Sequence, residues 1–108
     1  MKSLETQLVK SCLELLVWKQ FKLFWRNNTG ATRTEGGGFI RFGEVGSPDI
    51  FIVLPPHGML VGIECKVGKN KLSDSQFIFG EKLMKAGGRY EIIRNLDDLE
   101  RLLEELKN

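Results

Sequence analysis

Gly46-Ser47-Pro48-Asp49-Ile50-Phe51-Ile52-Val53-Leu54-Pro55-Pro56-His57-Gly58-Met59-Leu60-Val61-Gly62-Ile63-Glu64-Cys65-Lys66 is the stretch that orders the rest of the chain. Two apolar runs flank Pro55-Pro56-His57-Gly58, a turn signature, so the stretch reads as a β-hairpin. Side chains alternate faces along a strand; Glu64 and Lys66 point one way, Ile63 and Cys65 the other. The hairpin returns Asp49 to the Glu64–Lys66 end. Two carboxylates and an amine then meet at one edge of an apolar sheet. Burying such charges is costly unless they pair or hold a metal. Pro48 fixes φ just before Asp49 and keeps Ser47 out of helix, so the chain enters this edge stiffly.

Upstream, Leu4, Leu8, Cys12, Leu15 and Leu16 recur at helical spacing, with Val9 and Leu13 widening the stripe. This predicts a helix over the first half of residues 4–24, with Ser3 as its cap. Glu5 lies in the first turn, where it complements the helix dipole. Phe21, Leu23 and Trp25 alternate with Lys22, Phe24 and Arg26, which predicts a strand. Asn27-Asn28-Thr29-Gly30 is a turn or bulge, Gly36-Gly37-Gly38 a connector, and Phe39-Ile40-Arg41-Phe42 a returning strand. Arg26, Arg33 and Arg41, with Asn27, Asn28, Thr29 and Thr32 between them, are side chains of the kind that hold phosphates. A solvated basic hairpin has the same composition.

Downstream, Val67-Gly68-Lys69-Asn70-Lys71 is a basic loop. Ser73 and Gln76 form a capping box, with Leu72 and Phe77 as a hydrophobic staple. The helix they open runs to about Ala86 and stops at Gly87-Gly88, with Phe77, Ile78, Leu83 and Met84 as its apolar positions. Tyr90-Glu91-Ile92-Ile93 is a last strand. Asn95 caps a helix over Leu96–Leu106, with Leu96, Leu99, Leu102, Leu103 and Leu106 on one face. The order predicts an α/β fold with a mixed β-sheet flanked by helices, the last strand returning parallel by a crossover.

A chain of 108 residues, 42% hydrophobic and 28% charged, is one small domain. Its net charge of +2 is too small to argue for nucleic acid by itself. Met1-Lys2-Ser3-Leu4-Glu5 leads directly into a helix pattern and is not a secretory signal, so Cys12 and Cys65 are expected as free, packed thiols in a cytoplasmic protein. Their spacing is not that of a zinc site. No apolar run approaches the ~20 residues that span a bilayer, so no membrane is expected. His57, in a turn, reads as a solvated side chain.

Carboxylates without a cysteine or histidine set suit Mg²⁺ or Mn²⁺. Lys66 stands roughly 6–7 Å along the strand from Glu64, at ~3.3 Å per residue. An ammonium there would orient a nucleophile or offset transition-state charge, as metal-assisted phosphodiester hydrolysis requires. An edge salt bridge from Lys66 to Glu64 or Asp49 accounts for the same three residues equally well.

Gly46-Ser47-Pro48-Asp49, Ile63-Glu64-Cys65-Lys66 and Leu72-Ser73-Asp74-Ser75-Gln76 resemble the VRR-NUC family of the PD-(D/E)XK nuclease superfamily. Glu5, Trp25-Arg26-Asn27-Asn28 followed by Gly30, and Ala86-Gly87-Gly88 extend the likeness over nearly the whole chain. The resemblance implies a restriction-endonuclease-like core and a single nuclease domain over residues 1–108, similar to stand-alone phage and bacterial members. It implies that Asp49, Glu64 and the backbone carbonyl of Cys65 bind Mg²⁺ or Mn²⁺, that Glu5 completes the acidic site, that Lys66 is catalytic and that Gln76 lies beside it. Cys65 stands where a β-branched residue is more usual. The activity implied is structure-selective DNA cleavage, of four-way (Holliday) junctions by a homodimer; flaps or other DNA forms, and a non-catalytic DNA-binding module, are the alternatives. DNA is expected against Arg26, Asn28, Arg33, Arg41, Lys69 and Lys71. Phe21, Phe24, Trp25, Phe39 and Phe42 give the ribbon more aromatic surface than one small core absorbs, which points to it as the dimer contact.

Overall fold

The hairpin forms where the alternation places it. The computed structural model describes residues 3–28 and 30–107, without the side chains of Arg41 and Phe42. The elements are α1 (Leu4–Trp18), β1 (Phe24–Arg26), β2 (Gly30–Arg33), β3 (Phe39–Phe42), β4 (Ile50–Leu54), β5 (Met59–Cys65), α2 (Asp74–Lys85), β6 (Arg89–Ile93) and α3 (Leu96–Leu106). A mixed sheet runs in the order β1-β4-β5-β6, and β2 and β3 form a separate ribbon. β4 pairs antiparallel with β1 and β5, from Ile50↔Ile63 to Leu54↔Met59 across the hairpin. β6 pairs parallel to β5, from Val61↔Arg89 to Cys65↔Ile93, with α2 in the crossover. The chain is thus a mixed α/β fold, its sheet flanked by three helices. Among the described residues, no helix is long and apolar enough to cross a membrane.

The strand period divides the sheet into two faces. Ile50, Ile52 and Leu54 of β4, with Val61, Ile63 and Cys65 of β5, pack against Val9, Cys12 and Leu16 of α1 and Leu99, Leu102 and Leu103 of α3. This is the main core. Both cysteines are buried there as free thiols. The opposite face of β4 and β5 carries Phe51, Gly62 and Glu64, and it faces α2. Phe79 of α2 packs its ring 6.3 Å from that of Phe51 and 6.1 Å from that of Tyr90.

Two expectations need correction. Phe77, Ile78 and Met84 of α2 are exposed, not buried. The capping box fixes the start of the helix, and Gln76, Phe79, Gly80 and Leu83 fall on the sheet side. Gly80 is buried beneath Tyr90, which lets the helix approach closely. The strand expected from Phe21 is shorter, beginning at Phe24. Residues 19–21 instead close α1: Gln20 N–H donates to Val17 O at 3.0 Å and Phe21 N–H to Leu16 O at 3.1 Å. This is a Schellman end, with Gln20 in the left-handed position (φ 64) usually held by glycine. Phe21 and Phe24 consequently pack on the core, and the Trp25 ring lies 5.5 Å from that of Phe51, so three of the five aromatic residues assigned to a dimer contact make contacts inside one chain.

Candidate functional site

The turn before β4 is held from three sides. Asn27, just past β1, donates from Nδ2 to Ser47 Oγ at 2.7 Å and to Pro48 O at 2.9 Å. Its backbone N–H donates to Asp49 O at 2.8 Å. The Pro48 ring lies on Gly62 of β5, where a Cβ would come within 2.6 Å of Pro48 Cγ. Gly46, at φ +83, meets the start of α2 so closely that a Cβ would stand 2.1 Å from Ser75 O. Tyr90 also donates its hydroxyl to Gly46 O at 3.4 Å. Asp49 therefore leaves a turn that is fixed at every residue from Gly46 onward.

The Asp49 carboxylate reaches across to β5, where Oδ2 accepts from Cys65 N–H at 2.8 Å. Next to it, Glu64 is only 3% exposed. Its Oε2 accepts from Gln76 Nε2 at 3.1 Å and lies 3.6 Å from Lys66 Nζ. Gln76 does two jobs, since its Oε1 accepts from Ser73 N–H at 2.9 Å while its amide nitrogen reaches Glu64. The cap of α2 is thereby also a ligand of the acidic pair.

Electrostatics set this pair apart. Burial, and then the Asp49 charge, push the Glu64 carboxyl from the usual 4.5 up to about 7, against the opposing pull of Lys66. Asp49 is also raised, first by burial, with the Cys65 N–H pulling the other way. Tyr90 is raised by burial and by the charges of Glu64 and Asp49. On the other face of β5 the Cys65 thiol is raised by its hydrogen bond with Cys12 and by burial, which keeps it protonated.

Glu5, in the first turn of α1, comes close enough to act electrostatically on both Asp49 and Glu64. Its own Oε2 accepts from Asn70 Nδ2 at 3.3 Å, so it stands at the rim of the pair. Among the described residues, no three histidine, cysteine, aspartate or glutamate side chains stand together as a ready metal-holding group. The donors that do converge, Asp49 and Glu64, are hard oxygens. A divalent cation fits such a donor set.

The residues expected against DNA lie at the surface. Arg26, Asn28, Arg33, Lys69 and Lys71 are all exposed. None of them is hydrogen-bonded to the acids, and Arg33 stacks over Phe39. The Arg41 side chain lies outside the described residues. Asn27, expected as a turn residue and phosphate ligand, instead braces the turn before Asp49, and Tyr90, expected only as part of the last strand, is the site neighbour the sequence did not mark. No protein-family model, curated protein or solved structure matches this chain.

Proposed function

We propose that the protein is a Mg²⁺- or Mn²⁺-dependent, structure-selective DNA endonuclease with a restriction-endonuclease-like PD-(D/E)XK core of the stand-alone VRR-NUC type. One observation carries this reading: Asp49 and Glu64 converge from neighbouring strands, with Lys66 Nζ 3.6 Å from Glu64. Asp49 and Glu64 would hold the cation together with the main chain at Cys65, and Glu5 would add a carboxylate from the rim. When bound, the cation supplies Lewis-acid polarisation of a phosphodiester and offsets the charge of its transition state. The chain's own residues position the parts. Cys65 N–H orients Asp49, Gln76 orients Glu64, and Lys66, with its side chain only 12% exposed, presents an ammonium to the attacking water or a phosphoryl oxygen. Hydrolysis adds water across one P–O bond and leaves a phosphate on one strand end and a hydroxyl on the other.

The edge salt bridge is the weaker account. A bridge built for stability would lower the Glu64 pKa, yet burial and Asp49 outweigh Lys66. A binding module without chemistry has no use for buried acids beside phosphate. Four-way junctions are the proposed substrate, and paired cuts in them call for two copies about a two-fold axis. The test is Mn²⁺-dependent nicking of labelled junction, flap and plain duplex by the wild type, Asp49→Asn and Lys66→Ala. Wild-type cutting abolished by both changes is expected; no cutting of any of the three, or cutting retained in both variants, overturns the reading.

A further inference from the structure

The acidic site makes no use of the β2–β3 ribbon. The two strands pair from Gly30↔Phe42 to Arg33↔Phe39 and, among the described residues, pack substantially on no other element. A ribbon with so little cover is marginal by itself. Its turn is nonetheless organised. Thr34 N–H donates to Gly38 O at 2.9 Å, Gly37 N–H to Thr34 O at 3.1 Å, and Gly38 N–H to Thr34 Oγ1 at 3.1 Å. The pair just before the turn, Arg33 and Phe39, is thereby held at the outer end, about 10 Å along the strand from Gly30 at ~3.3 Å per residue.

At that pair the guanidinium carbon of Arg33 lies 5.4 Å from the centre of the Phe39 ring, over its face. Phe39 is 67% exposed, so the side of the ring away from Arg33 is open. An aromatic face backed by a fixed cation suits a flat ring attached to an anion, which describes a nucleotide. A second copy of this chain fits less well. Its acidic helix, α3, already commits Asp98 to Arg101, Glu104 to Lys107 and Glu105 to Arg89. Bases within a duplex are stacked on each other and offer no free face, whereas an unpaired base does. The neck of the ribbon is tied to the acidic site, because Asn27 on one side bonds Ser47 on the other at 2.7 Å.

We propose that Arg33 and Phe39 form a stacking platform for an unpaired base of a DNA strand, so that the ribbon senses strand separation near the cut. This rests on the nuclease reading for its substrate, and its test does not depend on cleavage. Binding is measured in EDTA by fluorescence anisotropy, on a duplex and on the same duplex with a short gap carrying 2-aminopurine. Wild-type protein should bind the gapped DNA more tightly and quench the 2-aminopurine. Phe39→Ala should lose roughly tenfold in affinity for the gapped DNA, less than about twofold for the duplex, and the quenching with it. Phe39→Trp should keep all three properties. Equal weakening on both DNAs, unchanged quenching in Phe39→Ala, or a dimer turned monomer by that change would overturn the platform. Phe39-dependent quenching in a protein that never cuts DNA with Mn²⁺ would keep the platform and sink the nuclease reading. Cutting of gapped and paired DNA alike, with or without Phe39, would sink the platform alone.

Discussion

Glu64→Gln should make the metal-free protein more stable at alkaline pH and, on the nuclease reading proposed above, abolish DNA cleavage. The wild-type carboxyl, at 3% exposure, is raised from 4.5 to about 7 on folding. Folding therefore takes up a proton between those values. The stability this contributes is complete below pH 4.5 and is lost as the pH rises through about 7. The difference corresponds to about 3 kcal/mol at 1.36 kcal/mol per pKa unit. Asp49 is raised in the same direction, so it adds to the wild-type slope. A glutamine at this position stays neutral, and its carbonyl oxygen can still accept from Gln76. The two proteins should differ by less than about 1 kcal/mol near pH 5 and by about 3 kcal/mol at pH 8.5, the latter on the order of 10 °C in Tm for a domain of this size. Urea unfolding in EDTA, followed by tryptophan fluorescence at both pH values, measures it. A Glu64→Gln protein less stable than wild type at pH 8.5 would show that the Lys66–Glu64 bridge is a net stabiliser. Parallel pH curves would show that Glu64 does not titrate as described. Either result refutes the reasoning.

Millimolar Mn²⁺ should raise the wild-type Tm, by about 2.7 kcal/mol of stability at a hundred times Kd, and Asp49→Asn should remove most of that shift; equal shifts in both would remove Asp49 from the cation site. Gln20→Gly should gain about 1 kcal/mol in urea unfolding, because Gln20 holds φ 64 at the end of α1. Gly46→Ala should lose about 2 kcal/mol or more, since the added carbon meets Ser75 O at 2.1 Å; a loss under about 0.5 kcal/mol would mean that the start of α2 yields freely. Light scattering at micromolar concentration should give a mass near twice 12.3 kDa, and a monomer that cuts junctions would separate the activity from the dimer.

Some of this structure is written locally in the chain. α3 could be read to the residue, since Asn95 and the leucine spacing act within a few turns of one another. The start of α2 was equally plain, because a capping box is a four-residue device. The buried side of α2 was not legible. Phe77 and Ile78 are as apolar as Phe79 and Leu83, and only packing against Phe51, Tyr90 and Glu64 turns the side with Gln76, Phe79, Gly80 and Leu83 inward. The alternation from Phe21 to Arg26 imitated a full strand because the Schellman end of α1 is written in backbone hydrogen bonds, with a glutamine where glycine would have announced it. In the candidate site, hairpin parity was enough to bring Asp49, Glu64 and Lys66 to one edge. Asn27 and Tyr90 join it across separations of 20 and 44 residues, which no local pattern encodes.

The bond from Asn27 to Ser47 closes a chain excursion at its base, its donor and acceptor 20 positions apart in sequence. The bond fixes where the excursion leaves and rejoins the body of the fold. Replacing the excursion with a tight turn of about five residues would change the loop-closure entropy by only about 1 kcal/mol. The segment's length is therefore weakly constrained by stability, and its content is left to whatever it binds. Longer, shorter or differently charged versions can be grafted there while the acids behind the bond keep their places.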